Sequence, residues 1–403
     1  MMTRVETFDD VWIVGGTRSP FGRFGGALRD VGLVELGRQI ITATLEQLDW
    51  PGEELDEFQV GMGMIEGGMM VPARQLAVAA GLPHSLPSLT VDRACCSGAT
   101  AVGLGARTID RDGEAVLCLG IESMSRTPRL MHGTRWGGAR PGAVDVEDIL
   151  VMHSPIAGST IAEYVGKVAL EHGVTREAQD RWAVRSQTIH ARAMERGFFK
   201  GEVTPVSTPD GIFSTDEHPR PDTTFEALAR LPTVRNSPTI TAGNAPGLND
   251  GAAAIVLSRQ ATSRRLSKEP SVRVAAYLQT AESPTSSAYL PGLAIRRLLD
   301  DYELNPADLD VIEINEAYAA TPLVSVRRLA DGDSDLEEAL LARTNMNGGA
   351  VAIGHPVGAS GTRLVLTAAR QLTESDTRWA AVAICGGFGQ TDALLLENVH
   401  ART

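Results

Sequence analysis

The stretch VDRACCSGATAVGLGAR, Val91–Arg107, decides how the rest of this chain is arranged. A short β-type run, Leu89–Val91, breaks at a turn, and a helical pattern of small residues starts at about Cys95. A thiol in the first turn of a helix faces free backbone N–H groups and the positive end of the helix dipole, and both favour the thiolate. A free cysteine is more often a small buried hydrophobic residue. The position therefore predicts a nucleophile only if the chain also supplies a base, an acid and an oxyanion site.

The composition excludes several classes of protein. The 403 residues are 43% hydrophobic and 22% charged, which is typical of a globular chain of two or three domains. The net charge is −13 and no block of Lys and Arg occurs, so we do not expect a nucleic-acid partner. Four cysteines, two of them adjacent, do not suggest a disulfide framework and favour a reducing, cytoplasmic location. The acidic N-terminal stretch is not a signal peptide, and no apolar run approaches membrane-spanning length.

Strand and helix patterns alternate in the first part of the chain. Short apolar runs predict strands at Val11–Gly16, Phe58–Met64 and Ala115–Leu119. Helical spacing of apolar residues predicts helices at Leu33–Leu48 and Pro72–Ala80. This alternation indicates α/β layers with a mostly parallel sheet.

The last part of the chain repeats the first in order. Three pairs of stretches correspond: Leu309–Ile314 with Phe58–Gly63, Val351–Gly361 with Val91–Ala101, and Ala380–Gly389 with Glu114–Ser123. The nearly constant offset favours a duplicated α/β unit over a chance match of apolar runs. Because duplication places equivalent strand ends near a pseudo-twofold axis, residues far apart in sequence can converge on Cys95.

A long insertion separates the two parts. From about Arg126 to Thr241 Pro, Gly, His, Arg and Trp become frequent, with helical patterns at Thr160–His172 and Arg176–Arg196. Structured insertions of this length usually carry binding function.

Three further groups at strand ends or turns can complete the chemistry. Asn315, in NEAYA directly after VIEI, can hold a water or an oxyanion, or can cap the next helix. His355, in the glycine-rich stretch Gly348–Gly361, can accept a thiol proton or donate to an oxyanion. Cys385, in CGGFG, adds a second thiol beside free backbone N–H groups. Two thiols and an imidazole suit thioester chemistry, whereas the lack of a C-x-x-C pair argues against zinc.

These motifs together resemble the thiolase family, enzymes that make or break the carbon–carbon bond of a 3-oxoacyl-CoA. The resemblance covers nearly the whole chain and rests on TRSPFGRFGGAL (17–28), ESMSRTPR (122–129), HPRPDTT (218–224), TAGNAPGLNDGAAA (241–254), NEAYA (315–319), GGAVAIGHPVGASG (348–361) and CGGFGQTDA (385–393). It implies a five-layered αβαβα fold made of two duplicated α/β halves with a long inserted loop domain. The expected divisions are 1–125 plus 245–270 for the N-terminal half, 126–244 for the loop domain over the CoA site, and 271–403 for the C-terminal half.

The resemblance also implies roles for the candidate residues. Cys95 becomes acylated, and His355 activates it or the incoming CoA thiol. The His355 imidazole joins a water held by Asn315 in stabilising the enolate oxygen. Cys385 exchanges a proton with the acetyl-CoA α-carbon. The backbone N–H groups of Cys95 and Gly387 form a second oxyanion hole. The implied reaction is the reversible CoA-dependent cleavage of a 3-oxoacyl-CoA to acetyl-CoA, or another short acyl-CoA, and a shortened acyl-CoA.

Binding partners follow from the same resemblance. Arg220, Pro246 and Gly247 match positions at the CoA site, and CoA serves as substrate or product with no permanently bound cofactor and no metal. A homodimer or homotetramer is implied, with Met131–Pro141 as a candidate tetramer loop. The alternative to an enzyme is an acyl-CoA-binding subunit that needs a partner for its substrate choice. A ketoacyl-carrier-protein or hydroxymethylglutaryl-CoA synthase fits less well, because those do not pair NEAYA with a second cysteine in CGGFG.

Five positions depart from the family pattern. Cys96 stands where Gly, Ser or Ala is usual, and Phe388 replaces a glycine beside Gly387. Gly158 falls where biosynthetic members carry Met and is expected to widen the acyl side. Pro246 replaces a CoA-contacting Ser of some members, and Tyr318 replaces Phe. None of these changes removes a proposed catalytic group.

Overall fold

A computed structural model of the protein describes residues 4–64, 69–134 and 144–401. The strands of this part of the chain are β1 Glu6–Thr7, β2 Trp12–Arg18, β3 Gly22–Arg23, β4 Glu57–Gly61, β5 Ser88–Val91, β6 Ala115–Ser123, β7 Leu130–Met131, β8 Val146–Glu147, β9 His153–Ser154, β10 Ser159–Thr160, β11 Val206–Thr208, β12 Gly211–Phe213, β13 Asn249–Ser258, β14 Val272–Ala281, β15 Val311–Ile314, β16 Trp379–Cys385 and β17 Gln390–Asn398. The helices are α1 Leu33–Leu48, α2 Pro72–Ala79, α3 Ser97–Arg111, α4 Ile161–Glu171, α5 Arg176–Glu195, α6 Phe225–Ala229, α7 Gln260–Arg265, α8 Leu290–Asp301, α9 Ala320–Ala330, α10 Ser334–Ala342, α11 Ala350–Ile353 and α12 Val357–Ser375.

The long strands form one hydrogen-bonded path with the order β15-β16-β17-β14-β2-β13-β6-β4-β5. The path has two similar parts that meet where β2 and β14 pair antiparallel, at Trp12 and Arg273. In each part an antiparallel pair, β13 with β6 or β17 with β16, is followed by a parallel neighbour, β4 or β15. The order of the sequence repeat therefore reappears as the order of the strands. The predicted mostly parallel sheet is wrong, because the path from β16 through β17, β14, β2 and β13 to β6 is antiparallel throughout, and its parallel pairs are β15 with β16, β4 with β6 and β4 with β5.

Five layers result from how the faces of these strands are covered. Helices α1 and α2 pack on one part of the sheet through residues such as Leu36 and Leu76. Helices α8 and α9 cover the other part through residues such as Leu298 and Leu329. Helices α3 and α12 lie between the two parts and share a single core with both. Because α12 is enclosed by sheet on two sides, nearly all of its residues are buried, unlike those of the amphipathic α1.

Small residues let the two central helices approach closely. A Cβ on Gly98 of α3 would lie 2.5 Å from the carbonyl oxygen of Gly358, and one on Gly361 of α12 would lie 2.3 Å from the backbone nitrogen of Ala99. No side chain fits at such a distance, so this crossing depends on glycine. The crossing also fixes the turns at the two helix N-termini, which carry Cys95 and His355, beside each other.

The internal repeat is imperfect at one position. The counterpart of strand β5 in the second part is the single helical turn α11, Ala350–Ile353. Between the two parts, the helices predicted at 160–172 and 176–196 are present as α4 and α5. The candidate tetramer loop at 131–141 lies mostly outside the described residues. Within the described residues, no helix has both the length and the apolar character needed to cross a membrane.

Candidate active site

Cys95 lies in a tight turn before α3, because the helix begins at Ser97 rather than at about Cys95 as the sequence pattern predicted. Ala94 has a φ of 51°, an unusual conformation for a residue with a side chain. Side-chain bonds hold the turn. The Asp92 carboxylate accepts from the Ala94 N–H at 2.8 Å, and the Ser97 hydroxyl donates to the Ala94 carbonyl at 2.6 Å. The turn presents the thiol at its tip instead of along a helix face.

The second turn aims His355 at this thiol. Gly354 has a φ of 101°, and a Cβ there would lie 2.3 Å from the Asn249 side chain, so only glycine fits. Asn249 accepts a hydrogen bond from the backbone N–H of His355 at 3.0 Å. His355 Nε2 lies 3.2 Å from Cys95 Sγ, a distance suited to proton transfer between the two.

Ser360 decides which nitrogen of His355 carries the proton. The Ser360 hydroxyl lies 2.6 Å from His355 Nδ1 and also 2.9 Å from the carbonyl oxygen of Pro356. A hydroxyl that donates to the Pro356 carbonyl turns only its lone pairs to the ring, so its oxygen accepts the Nδ1 proton. Asn315 Nδ2, which can only donate, lies 3.4 Å from Nε2 and favours the same tautomer. This leaves Nε2 as an acceptor toward Cys95. Sequence reasoning missed Ser360, although it lies within the motif that contains His355.

Asn315 is the third group at this point. It follows β15 directly, is fully buried, and its Nδ2 lies 3.4 Å from His355 Nε2. Asn315 Oδ1 has no hydrogen-bond partner among the described residues. The next helix, α9, begins only at Ala320 and has no side-chain cap. The helix-cap alternative for Asn315 is therefore wrong, because a turn separates it from that helix.

Cys385 ends strand β16 and lies close enough to Cys95 for the two thiols to interact electrostatically. Its thiol is buried, and the backbone N–H groups of Gly387 and of Cys385 itself lie near the sulfur. Burial raises the pKa of Cys385 to about 11, with those N–H groups opposing the shift. Gly387 has a φ of 63° and lines the same cavity as Cys95.

Burial controls the charge state of the site. It raises the pKa of the Cys95 thiol well above its ordinary value, and the neighbouring Cys385 and Glu122 act in the same direction. Burial, with the charge of Arg363, lowers the pKa of His355 to about 3. Burial thus favours a neutral thiol and a neutral imidazole in the resting pair, and it opposes the thiolate that the position before the helix was predicted to favour.

Glu122 is a supporting residue that sequence reasoning did not single out. It is fully buried at the end of β6, and its carboxylate accepts from the backbone N–H groups of Gly63, Met64 and Gly358 at 2.9 to 3.1 Å. One acid thus ties the loop after β4 to the first turn of α12. Burial raises its pKa to about 8. A charged residue at the end of an apolar strand was the available signal in the sequence.

Two cavities meet at these residues. The larger, here named the Cys95 cavity, has a volume of about 650 Å³ and is lined by Cys95, Gly387 and Phe388 among others. The smaller, the His355 cavity, has a volume of about 250 Å³ and contains His355 and Tyr318 in its lining. Val151, Met152 and Ile161 line both cavities. The reacting pair thus lies where a larger and a smaller space adjoin.

The three predicted CoA contacts do not all line one cavity. Pro246 and Gly247 line the His355 cavity, whereas Arg220 is exposed and is not among the described residues of either lining. The backbone N–H of Arg220 donates to Gln187 at 2.7 Å. Arg235, which sequence reasoning missed, lines the His355 cavity and is exposed.

The structure explains one departure from the family pattern and corrects another. Cys96 is fully buried, and its thiol donates to the carbonyl oxygen of Ile384 at 3.1 Å, one residue before Cys385. Gly158 is exposed in the turn between β9 and β10 and lines neither cavity. The expectation that Gly158 widens the acyl side is wrong, because Met152 and Ile161 occupy the cavity wall instead.

Comparison with known proteins agrees with this geometry. The family model described as the thiolase N-terminal domain matches residues 11–261, and the thiolase C-terminal domain matches residues 268–398. The chain is 38% identical to a beta-ketoadipyl-CoA thiolase of Pseudomonas knackmussii and 36% identical to a probable acetyl-CoA acetyltransferase of Escherichia coli. These alignments cover 97% and 96% of this chain, and 99% of each relative.

Solved structures give the same result. Human mitochondrial 3-ketoacyl-CoA thiolase in complex with CoA superposes with a TM-score of 0.91 at 31% identity, covering 96% of this chain and 98% of that one. The Bacillus anthracis acetyl-CoA acetyltransferase also has a TM-score of 0.91, at 32% identity, with 97% and 99% covered.

The fold and site therefore define an acyltransferase that acts on CoA thioesters. The chain belongs to the thiolase family, which carries out CoA-dependent thiolytic cleavage of 3-oxoacyl-CoA or the reverse condensation. CoA is accordingly its substrate or product, and the predicted five-layered fold is confirmed.

Proposed function

We propose that this thiolase works through an acyl-Cys95 intermediate, with Cys95, His355, Asn315, Cys385 and Gly387 in the roles that the family resemblance implies. The observation that supports the proposal most directly is the 3.2 Å distance between His355 Nε2 and Cys95 Sγ. Ser360 keeps that nitrogen free to accept, so His355 acts as the base. Because the resting pair is neutral, the thiol proton leaves as the sulfur attacks.

In the cleavage direction, the Cys95 sulfur bonds to the 3-keto carbon while its proton moves to His355 Nε2. The N–H groups of Cys95 and Gly387 stabilise the resulting oxyanion. The C2–C3 bond then breaks, and its electron pair forms the enolate of acetyl-CoA. Cys385 donates its thiol proton to C2 of that enolate. A water held by Asn315, together with the protonated imidazole, stabilises the enolate oxygen.

The second half of the reaction returns the protein to its starting state. The CoA thiol gives its proton to the Cys385 thiolate and attacks the acyl carbonyl. The bond to Cys95 breaks, and His355 returns a proton to the leaving sulfur. The products are acetyl-CoA and an acyl-CoA shortened by two carbons, and each proton moved has been replaced.

We place the CoA chain in the His355 cavity, where Pro246 and Gly247 form part of the wall and Arg235 is exposed beside it. Arg235 is the proposed partner of a CoA phosphate, and Arg220 would contact the adenine end. The proposal also includes the domain divisions at 125/126, 244/245 and 270/271. It further includes a homodimer or homotetramer and the absence of a resident cofactor. Four free cysteines support a cytoplasmic location.

Trapping the intermediate tests the proposal. Brief incubation with an acyl-CoA should place one acyl group per chain on Cys95, found by mass spectrometry of the Cys95 peptide. Cys95→Ala should carry no acyl group, whereas Cys118→Ala, which alters a buried thiol outside the site, should be acylated like the native protein. Acyl-CoA binding without acylation would favour the alternative of a binding subunit, and acylation of another residue would overturn the assignment.

A further inference from the structure

We propose that the acyl group accepted by this thiolase is neutral, largely apolar and several carbons longer than acetyl. This inference rests on the proposed function and names its substrate class. It differs from what the name of the beta-ketoadipyl-CoA thiolase relative suggests, since that substrate ends in a carboxylate.

The size of the Cys95 cavity supports an acyl group several carbons longer than acetyl. Its volume of about 650 Å³ lies in the middle of the range found for pockets that hold drug-sized ligands, roughly 300–1,000 Å³. The methyl of an acetyl group would leave most of that space unfilled, and wall atoms that face a void gain no dispersion attraction from the ligand. A chain or ring of several carbons would fill the space and make those contacts.

The wall of this cavity is mainly apolar. Its larger apolar side chains include Met64, Ile149, Val151, Met152, Ile161 and Phe388. Two of these are methionines, whose flexible side chains adapt to irregular ligand shapes. Phe388 stands where the family usually has glycine and adds an aromatic face next to Gly387. Burial of hydrocarbon against such a wall is favourable, because it removes apolar surface from water.

The charge of the cavity wall supports the preference for a neutral acyl group. The described lining includes the carboxylates of Asp92, Glu147 and Asp148. It also includes two basic side chains, those of Arg93 and His153. His153 is exposed. Asp148 lies 3.6 Å from Arg129, and Glu147 lies 2.6 Å from the His132 ring, and neither of these partners is in the described lining of the cavity.

Arg93 is already paired. Its guanidinium bonds the carboxylate of Asp392, which is fully buried, and its Nε donates to Gln390 at 3.3 Å. Asp392 also accepts from Thr100 and Tyr277, so this ion pair belongs to the core between the two halves. The charge of Arg93 is thus offset by Asp392, and a terminal carboxylate on the acyl chain would meet a wall whose acids outnumber its bases. Burial of a carboxylate beside like charges is costly.

A matched pair of substrates tests the charge preference. 3-Oxohexanoyl-CoA and 3-oxoadipyl-CoA have acyl chains of equal length that end in a methyl group and a carboxylate. We expect kcat/KM for thiolysis to be at least 10-fold higher for the methyl substrate. Equal values, or a preference for 3-oxoadipyl-CoA, would overturn this part of the inference.

A length series tests the size preference. 3-Oxooctanoyl-CoA should be cleaved with a kcat/KM at least 10-fold above that of acetoacetyl-CoA, whose transferred group is acetyl. A preference for acetoacetyl-CoA would contradict a long acyl group while leaving the proposed function intact. If no 3-oxoacyl-CoA is cleaved, the proposed function itself fails, and the two failures are thus distinguishable.

A double variant and a matched control test whether the charge of the cavity wall causes the preference for a neutral substrate. Replacement of two of the three lining acids, Glu147→Gln with Asp148→Asn, should reduce the ratio between the methyl and carboxylate substrates at least threefold, since it removes negative charge from the wall. Asp145→Asn changes an exposed acid of the same segment that lines neither cavity and should leave the ratio unchanged. An unchanged ratio in the double variant, or an equal change in the control, would contradict the role of these acids.

Discussion

His355 and Ser360 form a contact of 2.6 Å that sets the direction of proton transfer in this protein. The serine is on the first turn of α12, and its hydrogen is committed to the carbonyl of Pro356. It can therefore only accept from the imidazole. The opposite nitrogen is left facing Cys95, so a residue that does not touch the thiol determines how the thiol is activated.

Removal of this contact should slow catalysis without unfolding the protein. In Ser360→Ala the His355 ring can adopt the other tautomer, so kcat should fall by about 10- to 100-fold, less than the roughly 10²- to 10⁴-fold contribution of a complete general base, because the imidazole itself is kept. The binding of CoA, measured by calorimetry, should change little. Ser375→Ala is a matched control, because that hydroxyl makes the same bond to a carbonyl four residues earlier on the same helix, far from His355. A similar loss of activity in both variants would show that Ser360 acts only through helix stability.

The alkylation of Cys95 by iodoacetamide should keep accelerating as the pH rises. Burial raises the pKa of this thiol, so the fraction of thiolate is small at neutral pH and increases about 10-fold per pH unit up to the limit of the stable range. The rate of label incorporation from pH 7 to 9.5 measures this. A plateau below pH 8 would indicate a thiolate–imidazolium pair in the free protein. Label should not reach Cys96 in the folded chain, since that side chain is fully buried.

Loss of Cys385 should separate the two halves of the reaction. Cys385→Ala should still form an acyl group on Cys95, because the Cys95–His355 pair is intact. It should fail to exchange the α-protons of acetyl-CoA with deuterated water, which nuclear magnetic resonance follows directly. Normal exchange in this variant would contradict the assignment of Cys385 as the acid and base at carbon.

Cys96 should tolerate serine better than valine. Serine keeps a donor for the Ile384 carbonyl, whereas valine adds a methyl group next to Gly386, at which a Cβ would lie only 2.8 Å from the Cys96 sulfur. Overpacking of this kind costs about 1–3 kcal/mol. Urea unfolding of Cys96→Ser and Cys96→Val compares them. Equal free energies of unfolding for the two variants would show that the side chain of Cys96 is loosely packed against Gly386.

The ion pair of Arg93 and Asp392 should stabilise the contact between the two halves. These residues are 299 positions apart, and Asp392→Asn would leave an arginine with 18% side-chain exposure without its carboxylate. The free energy of unfolding should fall by about 3 kcal/mol, near the lower end for a broken buried pair. Glu6→Gln breaks the pair with Arg107, which is one-third exposed on both sides. That control should cost about 1 kcal/mol or less.

Much of the architecture was predictable because it depends on local patterns. Helix α1 has the predicted bounds, since its apolar residues repeat at helical spacing against a polar face. The convergence of Asn315, His355 and Cys385 followed from the repeat, because equivalent strand ends of a duplicated unit meet. The start of α3 was misplaced by two residues, since the unusual φ of Ala94 depends on bonds from Asp92 and Ser97 that composition does not reveal.

The sequence thus determines which groups react, whereas tertiary packing determines their protonation, their tautomers and the shape of the cavity around them. Cys95 belongs to a recognisable turn motif, but only enclosure by the second half of the chain raises its pKa and places His355 beside it. The tautomer of His355 depends on the rotamer of Ser360, and the wall of the acyl cavity depends on Met152 and Ile161 rather than on Gly158. Desolvation and side-chain direction arise from the packing of distant residues against one another, so no local stretch of sequence contains them.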